Sequence, residues 1–492
     1  MTDKKAYQQV FKATSLFGGV QFVKILISVI RSKVVAILLG PSGMGIMGLL
    51  NSTLELVSNL TNMGLSTSAV RDISSVNASQ NEEKISQTLS VFRILILLTA
   101  LSGAILLIVF SGLLSQLTFG SNDYSFAFIW LSISIILNQL TNGKLVVLQG
   151  LRKLEFLAKA NIAGSIFALI VSLPLYYFAG VKGIVPALIG SSFVTYLFAW
   201  FYSSKIKYKH VKVGILDSVS QGKNMIVMGF LVSLSTLLSV AASYVVRIFI
   251  SRTGGLDDVG FYNAGFAIVE NYVGLVFTAM ATDYFPRLSA IQDDIIQVIK
   301  TVTKQAIIAL LILVPVIVIF IVFSGLLIEL LYSDKFLTIE SMTIWAILGM
   351  FFRAVSWSMG FILFARNDSR LFMTTAILFN SIFLINNIIG YKVGGLTGIG
   401  ISFLINYVIH FVSLIIITRK RYGFRFEADL YKIMFFGGGL CFIAMGISFI
   451  DTSIFRYSSG IIVILITLLF SVNELNKRMG IIKIITKKLL KK

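Results

Sequence analysis

TSLFGGVQFVKILISVIRSKVVAILL, residues 14–39, is an apolar stretch that nevertheless carries Lys24, Arg31 and Lys33. At about 1.5 Å of rise per residue it is long enough to cross a bilayer as a helix. Gln21, Lys24, Ser28 and Arg31 recur every three or four residues, so they share one helical face. A cation at membrane depth is costly unless it looks into a wet cavity or meets an anion. This face is therefore expected to point inward, with other spans gathered around it and an anionic substrate as its counter-charge.

The rest of the composition agrees with a membrane location. The chain has 492 residues, 57% of them hydrophobic and 13% charged, against about 25% charged in soluble domains. The opening MTDKKAYQQVFK is polar and basic, and no small-residue cleavage site follows a short apolar run. The first span is thus expected to stay in the mature chain. The single cysteine, Cys441, excludes an intrachain disulfide. A net charge of +20 could point to nucleic acid, but Lys and Arg lie between apolar segments and at the tail. No soluble stretch is large enough to hold a nucleic-acid site, so the charge reads as a topology signal.

Apolar runs of about 20 residues give about 14 spans, near 14–39, 43–70, 88–111, 125–148, 157–179, 183–204, 225–250, 259–285, 304–331, 339–364, 371–391, 396–418, 432–450 and 454–472. With both termini cytoplasmic, 32 Lys and Arg fall on the inner side and 5 in outer loops. That asymmetry would be scrambled by one missed or invented span in mid-chain. The expected fold is an all-α polytopic membrane protein with both ends in the cytoplasm.

An internal repeat organises these spans. GMGIMGLLNSTLELVSNLTNMGLSTSAVRDIS from Gly43 resembles DVGFYNAGFAIVENYVGLVFTAMATDYFPRLS from Asp258, which places Gly45 on Gly260, Glu55 on Glu270, Thr67 on Thr282 and Ser74 on Ser289. One gap brings Arg31 onto Arg247, and VKGIVPALIG (181–190) more weakly matches VGGLTGIGIS (393–402). Six spans separate the copies, so the lobes are parallel repeats about an axis along the membrane normal. The expected organisation is an N-terminal lobe over 1–219, a C-terminal lobe over 220–425, two extra spans over 426–472 and a tail over 473–492. In the tail, Ile481, Ile485 and Leu489 alternate with Lys483, Lys487 and Lys491, the pattern of an amphipathic helix on an anionic leaflet.

Enzyme signatures are missing from the sequence. His210 and His410 are far apart, and neither a Cys/His metal spacing, a Walker-type loop nor a nucleophile elbow occurs. The polar residues inside the spans say more. Asn51, Glu55, Ser58, Asn59 and Asn62 form a stripe on the second span, and Ser235, Ser239, Ser243 and Arg247 form one on the seventh. Asn138 and Asn142 lie on the fourth, Asn263, Glu270 and Asn271 on the eighth, and Arg353 on the tenth. Together these describe a hydrated cavity with basic groups in excess. Lys24, Arg31, Arg247 and Arg353 are the expected anion ligands, and Gln21, Ser28, Asn51, Asn59, Asn138, Asn142, Asn263 and Asn271 the polar lining. Guanidinium groups bind a pyrophosphate through paired hydrogen bonds. Glu55 and Glu270 are candidates for ion coupling, since a carboxylate in a cavity of changing access can take up and release a cation or proton. Arg31 and Arg247 have an alternative role as structural partners of Glu55 and Glu270, and the Ser and Asn stripes one as helix-packing contacts.

LGPSGMGIMGLLNSTLELVSNLTNMGL (39–65), the two parallel halves and the linker QGLRKLEFLAKANI (149–162) resemble the bacterial polysaccharide flippases. These are the O-antigen translocases of the multidrug/oligosaccharidyl-lipid/polysaccharide exporter superfamily. The resemblance implies a non-enzymatic transporter without cofactor. It would move an undecaprenyl-pyrophosphate-linked oligosaccharide across the inner membrane by alternating access, with ion coupling. Implied partners are that lipid, the surrounding membrane lipids, a polysaccharide polymerase and a chain-length regulator, the chain itself being a monomer. Lys24, Arg31, Arg247 and Arg353 fit the basic cavity residues common in such relatives. Two spans beyond twelve leave a lipid II flippase as an alternative, and a multidrug exporter of the same superfamily as another.

Overall fold

The computed structural model describes residues 3–479 except 207–210, 275, 278–279, 281–283, 285–287, 289–290, 292, 367 and 451, with side chains from residue 23 onward apart from those of 231–232, 272, 364–365, 369, 453 and 479. The side chain of Gln21 and residues His210, Thr282, Ser289 and the basic tail from 480 to 492 lie outside the described residues. All regular structure among the described residues is helical: α1 (Asp3–Asn62), α2 (Leu65–Ala78), α3 (Glu82–Val109), α4 (Ser111–Phe119), α5 (Ser125–Gly150), α6 (Leu154–Ala179), α7 (Ile184–Ser204), α8 (Ile215–Gln221), α9 (Lys223–Thr253), α10 (Leu256–Phe266), α11 (Ile295–Val322), α12 (Ser324–Leu331), α13 (Glu340–Ala365), α14 (Ser369–Tyr422), α15 (Ala428–Ser448) and α16 (Ser453–Met479). A π-helical turn, Ala267–Val273, continues α10. Short 3-10 turns precede α7 and α13.

Among the described residues, 9 stretches are long and apolar enough to cross a membrane. The protein is an all-α polytopic membrane protein. Two of the stretches are themselves helix pairs: Leu154–Ser204 holds α6 and α7, and Arg370–Tyr422 breaks at Gly394 and Gly395. α1 likewise breaks at Gly40, whose φ of 66° is followed by Pro41. Each break combines a left-handed glycine with a chain that must turn back, a conformation L side chains resist.

The breaks carry the repeat into three dimensions. Gly40 and Gly255 both have positive φ, and Gly180 (φ 53°, ψ −132°) matches Gly395 (φ 56°, ψ −138°). α5 and α13 are each 26 residues long. All three correspondences use the shift that places Gly45 on Gly260. The structure therefore aligns Gly180 with Gly395, a different register from the local sequence match of Val181 with Val393.

The chain divides into two compact units, Met1–Gly260 and Phe261–Lys492. In the first unit α5 packs on α3, α7 and α2, while α1 packs on α6, α9 and α3. Backbones meet where α1 and the start of α10 cross: a Cβ on Gly45 would collide with Leu256 O, and one on Gly260 with Pro41 O. Buried Tyr244 ties α9 to both α1 and α4, its hydroxyl meeting Thr53 Oγ1 at 3.1 Å and Thr118 Oγ1 at 2.5 Å. Arg252 caps the C-terminus of α4 by donating to Gln116 O and Leu117 O, where the helix dipole favours a cation.

In the second unit α11 is the central helix. Seventeen of its positions, from Val298 to Val322, are buried against α13, α15 and α16. Its mostly apolar circumference suits burial on all sides rather than along one stripe. α15 and α16 cover it and turn Phe435, Phe436, Phe442, Ile462, Leu465 and Leu469 outward, as lipid-facing helices do. Arg456 of α16 is anchored on Glu340 Oε1 at 2.8 Å and Ser324 Oγ at 3.1 Å.

Candidate functional site

The break at Gly40 turns the second half of α1 back along the first, and α5, α6, α7 and α9 complete the wall around both. Two adjoining cavities result, both inside the first unit. The first, about 440 Å³, is lined by Lys24, Ser28 and Arg31 from α1, facing Ser165 of α6 and Ser191, Ser192 and Thr195 of α7. Lys24, Ser28 and Arg31 of the first span therefore border a cavity whose opposite wall carries hydroxyl groups. Lys24 Nζ donates to Asn161 Oδ1 at 2.7 Å, and Arg31 Nη2 reaches the Tyr176 hydroxyl at 3.5 Å. Arg31 Nε is buried without a hydrogen-bond partner. Neither meets a carboxylate among the described residues lining this cavity, which leaves N–H donors of both side chains free to bind an anion.

The second cavity, about 620 Å³, is lined by the α1 stripe Asn51, Glu55, Ser58, Asn59 and Asn62, by Asn138, Thr141 and Asn142 of α5, and by Ser233 and Thr236 of α9. Asn51, Leu54 and Asn138 border both cavities. Helical spacing explains the stripe, since three- and four-residue steps keep these side chains on one face. Glu55 is the only charged residue among the described residues lining this amide chamber. Its wall is stiffened by Gln139, which is fully buried and accepts from Asn62 Nδ2 at 2.6 Å while donating to Ser58 O at 3.1 Å.

The remaining candidates lie elsewhere. Arg247 of α9 donates from Nη1 to Ser243 O at 3.1 Å and is not among the residues lining either chamber. In the second unit Arg353 Nη1 meets Glu270 Oε1 at 2.6 Å. Its guanidinium lies over the rings of Phe277 and Tyr407, 5.4 and 5.2 Å from their centroids. Glu270 and Asn271 sit on the π-helical turn, and Asn263 is half-buried on α10. The partner of Glu270 is thus Arg353, and Glu55 has no ion pair among the described residues. Sequence reading overlooked Asn161, Tyr176, Ser165, Ser191, Ser192 and Thr195. The spacing of Asn161 and Ser165, and of Ser191, Ser192 and Thr195, was the available signal.

No group of three or more His, Cys, Asp or Glu able to hold a metal ion occurs among the described residues. Chemically, one chamber presents two basic side chains and hydroxyl groups, and the other presents amides and hydroxyls that can both donate and accept hydrogen bonds.

Known proteins resemble this chain in sequence and in fold. A putative O-antigen transporter of Shigella flexneri is 28% identical over 331 residues, covering 65% of this chain and 76% of that protein. The lipid II flippase MurJ in an inward closed conformation shares the fold at a TM-score of 0.71 and 16% identity, over 94% of this chain and 99% of that one. An inward-facing multidrug resistance MATE family transporter of the MOP superfamily follows at 0.66 and 17%, over 84% and 96%. Residues 34–341 match the family described as polysaccharide biosynthesis protein, and the chain belongs to that family.

Proposed function

We propose that the protein is a flippase for an undecaprenyl-pyrophosphate-linked oligosaccharide, an O-antigen or related repeat unit, working by ion-coupled alternating access in the bacterial inner membrane. The observation that carries this reading is the pairing of chambers: Lys24 and Arg31 face a polar cavity that shares Asn51, Leu54 and Asn138 with an amide-lined one. The pyrophosphate would sit against the two cations and the sugars among the amides, while the polyprenyl tail stays in lipid. The relationship to the Shigella protein supports the same class of cargo. A multidrug exporter of organic cations would want carboxylates to dominate, and here two cations stand against Glu55.

A lipid II flippase is the second reading, favoured by the two C-terminal helices. α15 and α13 border an apolar groove of about 580 Å³ lined by Phe351, Phe352, Phe435, Phe436 and Phe442, which suits a lipid chain.

The test is transfer of a fluorescent polyprenyl-diphosphate oligosaccharide between leaflets of proteoliposomes. Lys24→Met with Arg31→Met should reduce the rate at least about tenfold, the equivalent of 1.4 kcal/mol, while leaving the thermal midpoint within a few degrees. Retention of the full rate by the double variant refutes the reading. Arg31→Glu separates the exporter alternative, which would gain rather than lose activity toward organic cations.

A further inference from the structure

A third cavity of the first unit, about 890 Å³, plays no part in the reading above. Phe126 and Trp130 of α5 and Ile189 and Phe193 of α7 line its length, and buried Leu50 of α1 also borders it. Its two charged residues, Asp123 and Lys182, belong to the connections just before α5 and α7, so they share one end of an otherwise apolar groove. That end is built firmly. Asp123 Oδ2 accepts from Ser121 Oγ at 2.8 Å, Tyr124 N donates to buried Ser115 Oγ at 3.1 Å, and the Tyr124 ring stacks on Phe119 with centroids 3.8 Å apart. Lys182 stands on the 3-10 turn Gly180–Gly183, where a Cβ on Gly183 would collide with Leu175 O. Among the described residues neither Asp123 nor Lys182 has an ionic partner.

We infer that this groove binds one bilayer phospholipid with a zwitterionic, primary-amine headgroup. An acyl chain lies along Phe126, Trp130, Ile189 and Phe193, the phosphate meets Lys182 and the ammonium meets Asp123. Length and charge carry the assignment. From Ile184 to Phe193 the wall of α7 runs about 14 Å, which is the depth of one leaflet in a hydrocarbon core of about 30 Å. A partner helix would need apolar surface through both leaflets, and this groove ends after one. Tyr124 and Trp130 beside the charged end fit the headgroup level, where amphipathic rings collect. The paired signs then choose the headgroup. A phosphate alone would satisfy Lys182 and be repelled by Asp123. A choline headgroup carries both charges, but its quaternary nitrogen has no N–H to donate, whereas a primary ammonium donates up to about three hydrogen bonds. The inference uses neither chamber and stands whatever the cargo is.

Delipidated full-length protein in detergent is titrated with dioleoyl phosphatidylethanolamine, phosphatidylcholine or phosphatidylglycerol, and the one-lipid complex is counted by native mass spectrometry. The ethanolamine lipid should bind at least about fivefold tighter than either of the others, the difference that one charge pair at a wet interface can make. Asp123→Lys should reverse the order in favour of the glycerol lipid, a gain that a misfolded variant could not produce. Ala127→Trp, which places a large side chain in the groove, should weaken binding of the ethanolamine lipid to the level of the other two. Equal affinity for the three lipids, a wild-type preference for the glycerol lipid, or an order left unchanged by either variant overturns the inference. Failure of wild-type proteoliposomes to move a lipid-linked oligosaccharide would refute the flippase reading and leave this site standing.

Discussion

Removing the Glu270–Arg353 pair offers the most quantitative test of how this protein holds charge within its helices. The N···O separation is 2.6 Å. At an effective dielectric constant of about 20 the direct attraction is about 6 kcal/mol. Desolvation of both ions offsets most of that. Glu270 retains 39% and Arg353 20% of side-chain exposure, so water screens what is left. A net coupling of about 1–2 kcal/mol follows, above the usual surface pair and below a fully buried one.

The two ends of the pair are not equivalent. Glu270→Gln strands a guanidinium between Phe277 and Tyr407, where rehydration is poor, and should cost about 2–3 kcal/mol. Arg353→Met strands the better-exposed carboxylate and should cost about 1 kcal/mol less. The double variant leaves no unpaired charge and should be less damaged than the sum of the singles by the coupling energy. The assay is reversible unfolding in mixed detergent micelles, with the four proteins compared in a double-mutant cycle. Additivity within about 0.5 kcal/mol, or a larger loss in Arg353→Met than in Glu270→Gln, would refute the reasoning.

Two further outcomes follow from local geometry. Gly260→Ala would drive a Cβ into Pro41 O and should cost about 1–3 kcal/mol, whereas Gly446→Ala on α15, with open space around its Cβ, should be neutral or stabilising by up to ~1 kcal/mol, both read from the same unfolding curves. Asp368 accepts from Leu371 N–H, from the Tyr422 hydroxyl and from Arg421, and the first of these foremost holds its carboxyl below the usual carboxylate range. Its stabilising contribution is therefore complete above about pH 4 and fades as pH falls through the lowered value. Asp368→Asn should lower stability at neutral pH and flatten that acid limb, and an unchanged pH profile would count against the cap.

Much of the fold was legible because its determinants are local. Helical spacing grouped Lys24 with Ser28 and Arg31, and Asn51 with Glu55, Ser58 and Asn59, and each group does line one chamber. The glycine-rich starts of the two halves carried the repeat, because backbone contact at Gly45 and Gly260 leaves no room for a side chain. What sequence could not supply was partner choice across long separations. Glu270 and Arg353 are 83 residues apart, and Arg31 finds Tyr176 rather than a carboxylate. The walls contributed by α6 and α7 were missed because their Ser, Thr and Asn residues sit in otherwise apolar helices, where packing contacts and ligand contacts use the same residue types.

The divergence between the two units bears on why a duplicated fold would keep an acid in both halves. If Glu55 and Glu270 served only helix packing, both would be expected to keep the same kind of partner. Instead the second unit satisfies its glutamate internally with Arg353 and packs Phe277, Trp357, Tyr284 and Phe361 beside it, rings 5.0 to 5.7 Å apart. The first unit leaves the equivalent glutamate facing open space among amides, with two cations in the next chamber. Aromatic filling stabilises a fixed shape, while an amide-lined hollow gives up that packing energy and is stable only when wet or occupied. The cost of the hollow is thus concentrated in one copy of the repeat, which is the arrangement expected if that copy receives the cargo and the other keeps its form.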